Sequence, residues 1–266
     1  MRFVAYAGGI VLCALMLVVL GTRNPTASGV LGGVIAGLAV PLLDESAKNA
    51  RYATSLAYSL RFWGTKVRIS ASYLYRVKVG DKYLLVRGSR IPDQFQPVGG
   101  VWKVLPEGSV ILSSLGAVDD SWIPVDPVSE SDLRFRIDGR HLYQFIRWFE
   151  SKKGRETDPW REFYEELVRT GIVPGTAFRW INYRHIRFYS DGIKYSAWVQ
   201  GPEWLIADIY ELVPTKDQES TLLALREAGQ GDGLFIWAAE DQIRRLAMER
   251  AAPVKTKISP TATWTL

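Results

Sequence analysis

The run Arg-Glu-Phe-Tyr-Glu-Glu at residues 161–166 restricts this chain more than any other, because only a helix sorts its acids and its aromatic to different sides. Residues three and four apart share a helical face, so Glu162, Glu165 and Glu166 project together while Phe163 and Leu167 turn toward a core. Like charges this close repel unless something positive lies between them. Carboxylate oxygens are the hard ligands that magnesium prefers, and a phosphorylated ligand commonly completes its octahedron. Glu162, Glu165 and Glu166 are therefore candidate magnesium ligands, with Arg161 placed to orient one of them. An exposed acidic face near a helix start, where negative charge favours the dipole, is the competing reading.

Ahead of this helix the chain is apolar twice. Phe3 to Leu20 carries no charge and would span about 27 Å as a helix, and Ser28 to Leu43 would span about 24 Å, a length that snorkelling and bilayer thinning accommodate. Gly21 to Ala27 is a polar link with Pro25 as a turn signal. Residues 1–43 thus read as a transmembrane hairpin with spans 3–20 and 28–43. A signal peptide cleaved near Thr26-Ala27-Ser28 fits less well, since a second apolar stretch follows. Arg2 precedes the first stretch, Lys48, Arg51, Arg61, Lys66 and Arg68 follow the second, and the link holds Arg23 alone, so both termini are expected on the cytoplasmic side. The sole cysteine, Cys13, falls in the first stretch and leaves the rest without an internal disulfide. Gly29, Gly33 and Gly37 form a smooth ridge suited to helix association and a homo-oligomer; packing on the chain's own first span explains it equally.

Asp44 can cap a juxtamembrane helix over 44–63, whose Tyr52, Tyr58, Phe62 and Trp63 suit an interface. Beyond it, alternation predicts strands over Arg68–Val79 and Lys82–Arg87 about a Gly80-Asp81 turn, then over Ala177–Tyr189, Lys194–Gln200, Trp204–Leu212 and Leu234–Trp237. Helices are expected over Leu142–Lys152, Asp158–Arg169, Gln218–Ala228 and Glu240–Arg250. This irregular order gives an α/β sandwich with one core over 64–252, and residues 253–266, with Pro253 and Pro260, read as an extended tail.

Two places combine phosphate-binding and base-stacking groups. Arg87, Arg90, Gln94, Phe95, Gln96 and Trp102 surround Gly99-Gly100, while Arg179, Trp180, Tyr183, Arg184, His185, Arg187 and Tyr189 crowd one strand. Alternation sends Arg179, Tyr183, His185, Arg187 and Tyr189 to one face, so only one set can line a pocket; a solvated basic face is the competing reading. The candidate ligand contacts are Arg87, Phe95, Gly99, Gly100, Trp102, Arg161, Tyr183 and Arg187. A net charge of +5 suits small anions but is too mild for bulk nucleic acid. With only His141 and His185, and with no Walker loop or nucleophile elbow, zinc and nucleophilic chemistries lack their usual parts.

Arg161 to Glu166 resembles the core of the Nudix box, and Pro97-Val98-Gly99-Gly100 resembles the glycine pair ahead of the Nudix helix. The chain departs from that pattern in several places. Lys153 and Arg147 stand where the box has Glu and Gly, Leu167, Val168 and Arg169 precede Thr170-Gly171 where one residue is usual, and about forty residues, Val104 to Leu142, separate the glycines from the helix. The resemblance implies a Nudix-like α/β/α sandwich with a mixed sheet, and the departures imply a sensor that keeps the pocket without the hydrolysis. Together with the apolar N-terminal stretches, Ser70 to Lys78 and Tyr83 to Gly88 in this order make the chain similar to the two-transmembrane effectors of bacterial cyclic-oligonucleotide (CBASS-type) antiphage signalling, the SMODS-associated Nudix family. That resemblance implies a cyclic di- or trinucleotide as ligand, no required cofactor, a multi-pass place in the inner membrane among its lipids, and oligomerisation that damages it. The alternatives are a membrane-tethered, magnesium-dependent Nudix hydrolase of nucleoside diphosphate derivatives, and a tethered interaction module without a small ligand.

Overall fold

The computed structural model describes residues 9–17, 25–88, 91, 93–120, 131–229, 233–248 and 257–266, which fall into two compact units, Met1–Gly64 with Gly139–Glu150, and Thr65–Asp138 with Ser151–Leu266.

The first unit contains helix α1 (9–17) and the long helix α2 (Pro25–Arg61). Among the described residues no helix is long and apolar enough to cross a membrane. This overturns the expected pair of transmembrane helices and the multi-pass inner-membrane placement built on them. Of the first apolar stretch, residues 9–17 are helical, and the remainder lies outside the described residues. The second stretch is not a helix of its own. It opens α2, which runs unbroken through Asp44, Glu45, Lys48 and Arg51. The end of α2 packs on residues 139–150: Arg51 Nε donates to Glu150 Oε1 at 2.7 Å, the Tyr143 amide donates to Ser59 Oγ at 2.9 Å, and Tyr52 meets Tyr143 edge-on at 6.3 Å. A methyl added at Gly29, Gly33 or Gly37 would meet no described atom within 4 Å, so their ridge is open.

The second unit is built on two sheets. In the larger, strands β6 (Val118–Asp119), β7 (Arg134–Asp138), β1 (Lys66–Arg76), β9 (Gly201–Val213) and β8 (Asn182–Ser196) lie in that order. Strand β1 is its centre. On one flank β9 runs parallel to it from Arg68↔Glu203 to Arg76↔Glu211; on the other, β7 pairs with Lys66–Ser70 and the short β5 (Gly99–Val101) with Ser72–Leu74. Covered on both faces, β1 buries Ile69, Ala71, Tyr73, Leu74 and Tyr75 with little of the in-out alternation of a half-exposed strand. Strand β8 is an edge, mostly exposed, and its Arg184 and Lys194 discourage pairing with another chain.

The smaller sheet orders β10 (Phe235–Ala239), β3 (Lys82–Arg87), β4 (Gln94–Pro97) and β11 (Lys257–Ile258), with β2 (Lys78–Val79) folded back on β3. The Gly80-Asp81 turn falls where the sequence places it, with Gly80 at φ 61°. The long separation between the glycines and the acidic helix supplies α3 (Pro106–Ser114), β6 and β7, and 121–130 lie outside the described residues.

An extended tail was expected after Ala252, yet residues 257–266 are part of the core. Strand β11 runs parallel to β4, and a 3₁₀ turn follows over Pro260–Thr265. Ala262 packs among Tyr83, Leu85, Phe95 and Ile236 of the smaller sheet, whereas Trp264 packs among Leu74, Ala207 and Ile209 of the larger and stacks on Tyr189 at 4.7 Å. Arg187 Nη2 donates to the carbonyls of Trp264 (2.7 Å) and Leu266 (3.0 Å). The segment therefore fastens the two sheets together.

Candidate functional site

The acidic helix begins as α4 (Trp160–Phe163), where Asp158 Oδ1 accepts from the Trp160 amide at 3.0 Å, and continues as a π-turn over Tyr164–Val168, with the Arg169 amide donating to the Tyr164 carbonyl at 2.8 Å. Phe163 and Leu167 are fully buried as their spacing predicts, Phe163 against Tyr75 and Phe178. The wider turn absorbs part of the extra length before Gly171, and single π-turns recur at functional sites.

This helix docks onto the glycine pair through its acids. Gly99 donates its amide to Glu166 Oε2 at 2.8 Å, and Gln96 Nε2 reaches Glu166 Oε1 at 3.4 Å. Gly99 has φ 144°, and a Cβ there would lie 2.2 Å from the Tyr73 carbonyl oxygen; one on Gly100 would lie 2.1 Å from Glu162 Oε1. At Gly99 only bare backbone fits, whereas at Gly100 the obstacle is the Glu162 side chain.

Arg161 holds Glu162 against the sheet. Its Nη1 donates to Glu162 Oε1 at 2.6 Å and its Nη2 to the Val101 carbonyl at 3.0 Å, while Nε and Nη2 fork onto Glu156 at 3.0 and 3.2 Å. Burial alone would favour a neutral guanidine, but the hydrogen bonds to Glu156 and the charges of Glu162 and Glu156 outweigh it and raise the Arg161 pKa. Arg161→Lys keeps the charge but loses the fork. The side chain is a quarter exposed, so we expect a loss of about 1 to 2 kcal/mol in urea denaturation.

Burial pushes the Glu166 carboxyl up to about 8; the Gly99 amide and Gln96 oppose the rise, and the Glu162 charge adds to it. Glu166 therefore largely keeps its proton at pH 7. Burial also raises Glu162, with Arg161 opposing. Among the described residues no group of three His, Cys, Asp or Glu side chains is placed to hold a metal ion.

Glu162, Glu165 and Glu166 face a cleft of about 820 Å³. Gly99, Gly100 and Val101 form one side, and Arg87, Arg134 and Arg169 bring positive charge to it, with Gln96, Ser259 and Thr261 among the remaining lining groups. Arg87 pairs with Asp93 at 2.8 Å and Arg134 with Asp132 at 3.5 Å. Arg87, Gly99 and Gly100 are thus brought together with the three acids, and Arg161 stands behind them as a positioning group.

Four other candidate contacts lie elsewhere. Phe95 is in the core of the smaller sheet, beside Tyr83 and Ile236. Trp102 is fully buried, with its indole N–H donated to Asp208 Oδ2 at 3.2 Å and Arg155 over its ring. Tyr183 donates its hydroxyl to Asp158 at 3.2 Å and packs on Tyr210, and Arg187 binds the C-terminal segment. An irregularity between His185 and Arg187 breaks the alternation of β8, which is why Tyr183 and Arg187 part company. Arg169 follows Glu165 and Glu166 at helical spacing, which marks it in the sequence; Arg134, Ser259 and Thr261 reach the cleft through pairings that no local pattern signals.

A family model described as SMODS-associated NUDIX domain matches residues 66–266. Comparison with curated proteins finds no match.

Proposed function

The chain belongs to the SMODS-associated NUDIX domain family, and on that premise we propose that it acts as an effector in bacterial CBASS-type antiviral defence, with the cleft as its sensor for a cyclic di- or trinucleotide. Guanidinium groups at Arg87, Arg134 and Arg169 suit phosphates, and the bare backbone at Gly99-Gly100 lets a ligand come close. The observation that supports the sensing reading is the placement of the acids: Glu162 is held by Arg161, and Glu166 is turned onto the Gly99 amide. A hydrolytic site of this type needs ionised carboxylates open to a metal. A sensor gains from lacking one, since it does not destroy its own signal.

Magnesium-dependent hydrolysis of a nucleoside diphosphate derivative is the second reading, favoured by the fact that Glu162, Glu165 and Glu166 line one cleft. Those three residues would hold the ion, which would stabilise charge on a diphosphate. As placed they do not gather into a metal-binding group, and no hydrolytic step follows from their positions.

A thermal-shift panel of cyclic di- and trinucleotides on the full chain tests the first reading. Saturation at a hundredfold over Kd adds about 2.7 kcal/mol, a rise of roughly 5 to 10 °C for a domain of this size. Release of product from nucleoside diphosphates with magnesium, abolished by Glu165→Gln, would replace sensing by hydrolysis. Silence in both assays would leave a module that binds no small ligand.

A further inference from the structure

We propose that Ser259 and Thr261, which reach the cleft from the C-terminal segment, determine its specificity by hydrogen-bonding an uncharged polar group of the ligand, on a base edge or a ribose. The assignment rests on the nucleotide reading above and goes beyond it in naming what discriminates one nucleotide from another.

Proton counting carries the argument. Ser259 Oγ and Thr261 Oγ1 lie 2.8 Å apart, and either can be the donor. Two hydroxyls bring two protons. One is spent between them; the second has no protein acceptor among the described residues, since the only other bond to the pair is the Thr261 amide donating to Ser259 Oγ at 3.4 Å. Ser259 is 8% exposed and lines the cleft with Thr261. Thr261 is half-buried, and whichever hydroxyl keeps the second proton lines the cleft, so a ligand there can accept from it.

The pair is also held firmly enough to discriminate. The Ser259 amide donates to the Phe95 carbonyl at 2.8 Å and the Ser259 carbonyl accepts from Ala262 at 2.9 Å, so both hydroxyls stand on the turn that is anchored in the two sheets. A recognition group fixed in this way spends little ordering entropy on binding. Phosphates already have the three guanidinium groups. What neutral hydroxyls add is selectivity, because a polar site that loses its partner penalises the wrong ligand far more than a charged site does when it meets any anion.

The test uses the full chain and titrates cyclic di- and trinucleotides carrying adenine, guanine or uracil, with their 2′-deoxy counterparts. Thr261→Val keeps the volume and removes the hydroxyl. Affinity for the best ligand should fall about ten- to a hundredfold, and its lead over the next should shrink with it. Thr261→Ser, which restores a hydroxyl, should recover the wild-type ranking, and Ser259→Ala serves if Thr261→Val does not fold. Loss of the lead among bases alone assigns the pair to a base edge; loss of the discrimination against 2′-deoxy analogues assigns it to a ribose. An unchanged ranking, with or without a uniform loss of affinity, overturns the assignment and leaves the nucleotide reading standing. A wild-type chain that binds nothing in the panel overturns both.

Discussion

Glu166→Gln will raise the melting temperature of the protein at pH 8 and above and leave it nearly unchanged at about pH 5. Unfolded, this carboxyl ionises near 4.5; folded, burial holds its proton until about 8. Between those values folding takes up a proton, so the contribution of Glu166 to stability is complete below 4.5 and is lost as pH rises through 8. At about 1.4 kcal/mol per pH unit, the ionised side chain costs the folded state on the order of 5 kcal/mol at the alkaline end. Glutamine keeps an oxygen for the Gly99 amide and has no proton to lose, so it removes that cost. For about 200 residues the gain is on the order of 10 °C. Melting curves from pH 5 to 9 measure it directly. Wild-type and variant curves that run parallel would mean that Glu166 is already ionised in the folded protein, and the acid cluster would then be better prepared for a cation than its surroundings imply.

Gly99→Ala will destabilise the domain by about 3 to 5 kcal/mol, the sum of an unfavourable backbone region and a steric overlap that rigid neighbours cannot relieve. The φ of 144° is one that side chains seldom adopt, and the new methyl would lie 2.2 Å from the Tyr73 carbonyl oxygen and 2.9 Å from Leu74 Cα. Those atoms belong to the central strand, which is fixed on both flanks. Gly100→Ala makes a useful contrast, because its methyl would strike the carboxylate end of Glu162, a side chain that can swing aside. It should cost less stability while releasing Glu162 from its place under Arg161. Urea denaturation of the two variants separates the cases; equal and small losses would show that β5 shifts freely away from β1.

The parts of the site that lie close together in sequence could be read before any coordinates. The acidic run, the burial of Phe163 and Leu167, and the glycine pair all follow from helical spacing or from the need for bare backbone. Arg87 joins them because β3 and β4 form a hairpin whose register brings it to the cleft mouth. The rest depended on partners remote in the chain. Trp102 and Phe95 have aromatic faces suited to stacking, but both side chains lie in the core, Phe95 from β4 and Trp102 from just past the end of β5. Plain alternation puts Tyr183 and Arg187 on one face, and the bulge between them breaks it. Ser259 and Thr261 sit in a stretch with two nearby prolines and no periodicity, so nothing local announces that β11 will pair with β4. The membrane reading failed for a different reason: the helix that contains the second apolar stretch begins before it, at Pro25, and runs on through five charged residues to Arg61.

The parallel pairing at the heart of the larger sheet has a consequence for how the chain is made and handled. Arg68 and Glu203 are neighbours across β1 and β9 although 135 residues separate them, so a long loop must close before either strand is satisfied, and such closure slows folding. Until Gly201 to Val213 has emerged, one whole side of β1 offers unmatched amides and carbonyls next to Ile69, Ala71 and Tyr73. That is a template for sticking to other chains. Fragments cut short before Gly201 will precipitate, and a protease nick in the β8–β9 hairpin will do more harm the earlier it comes in the life of the nascent protein.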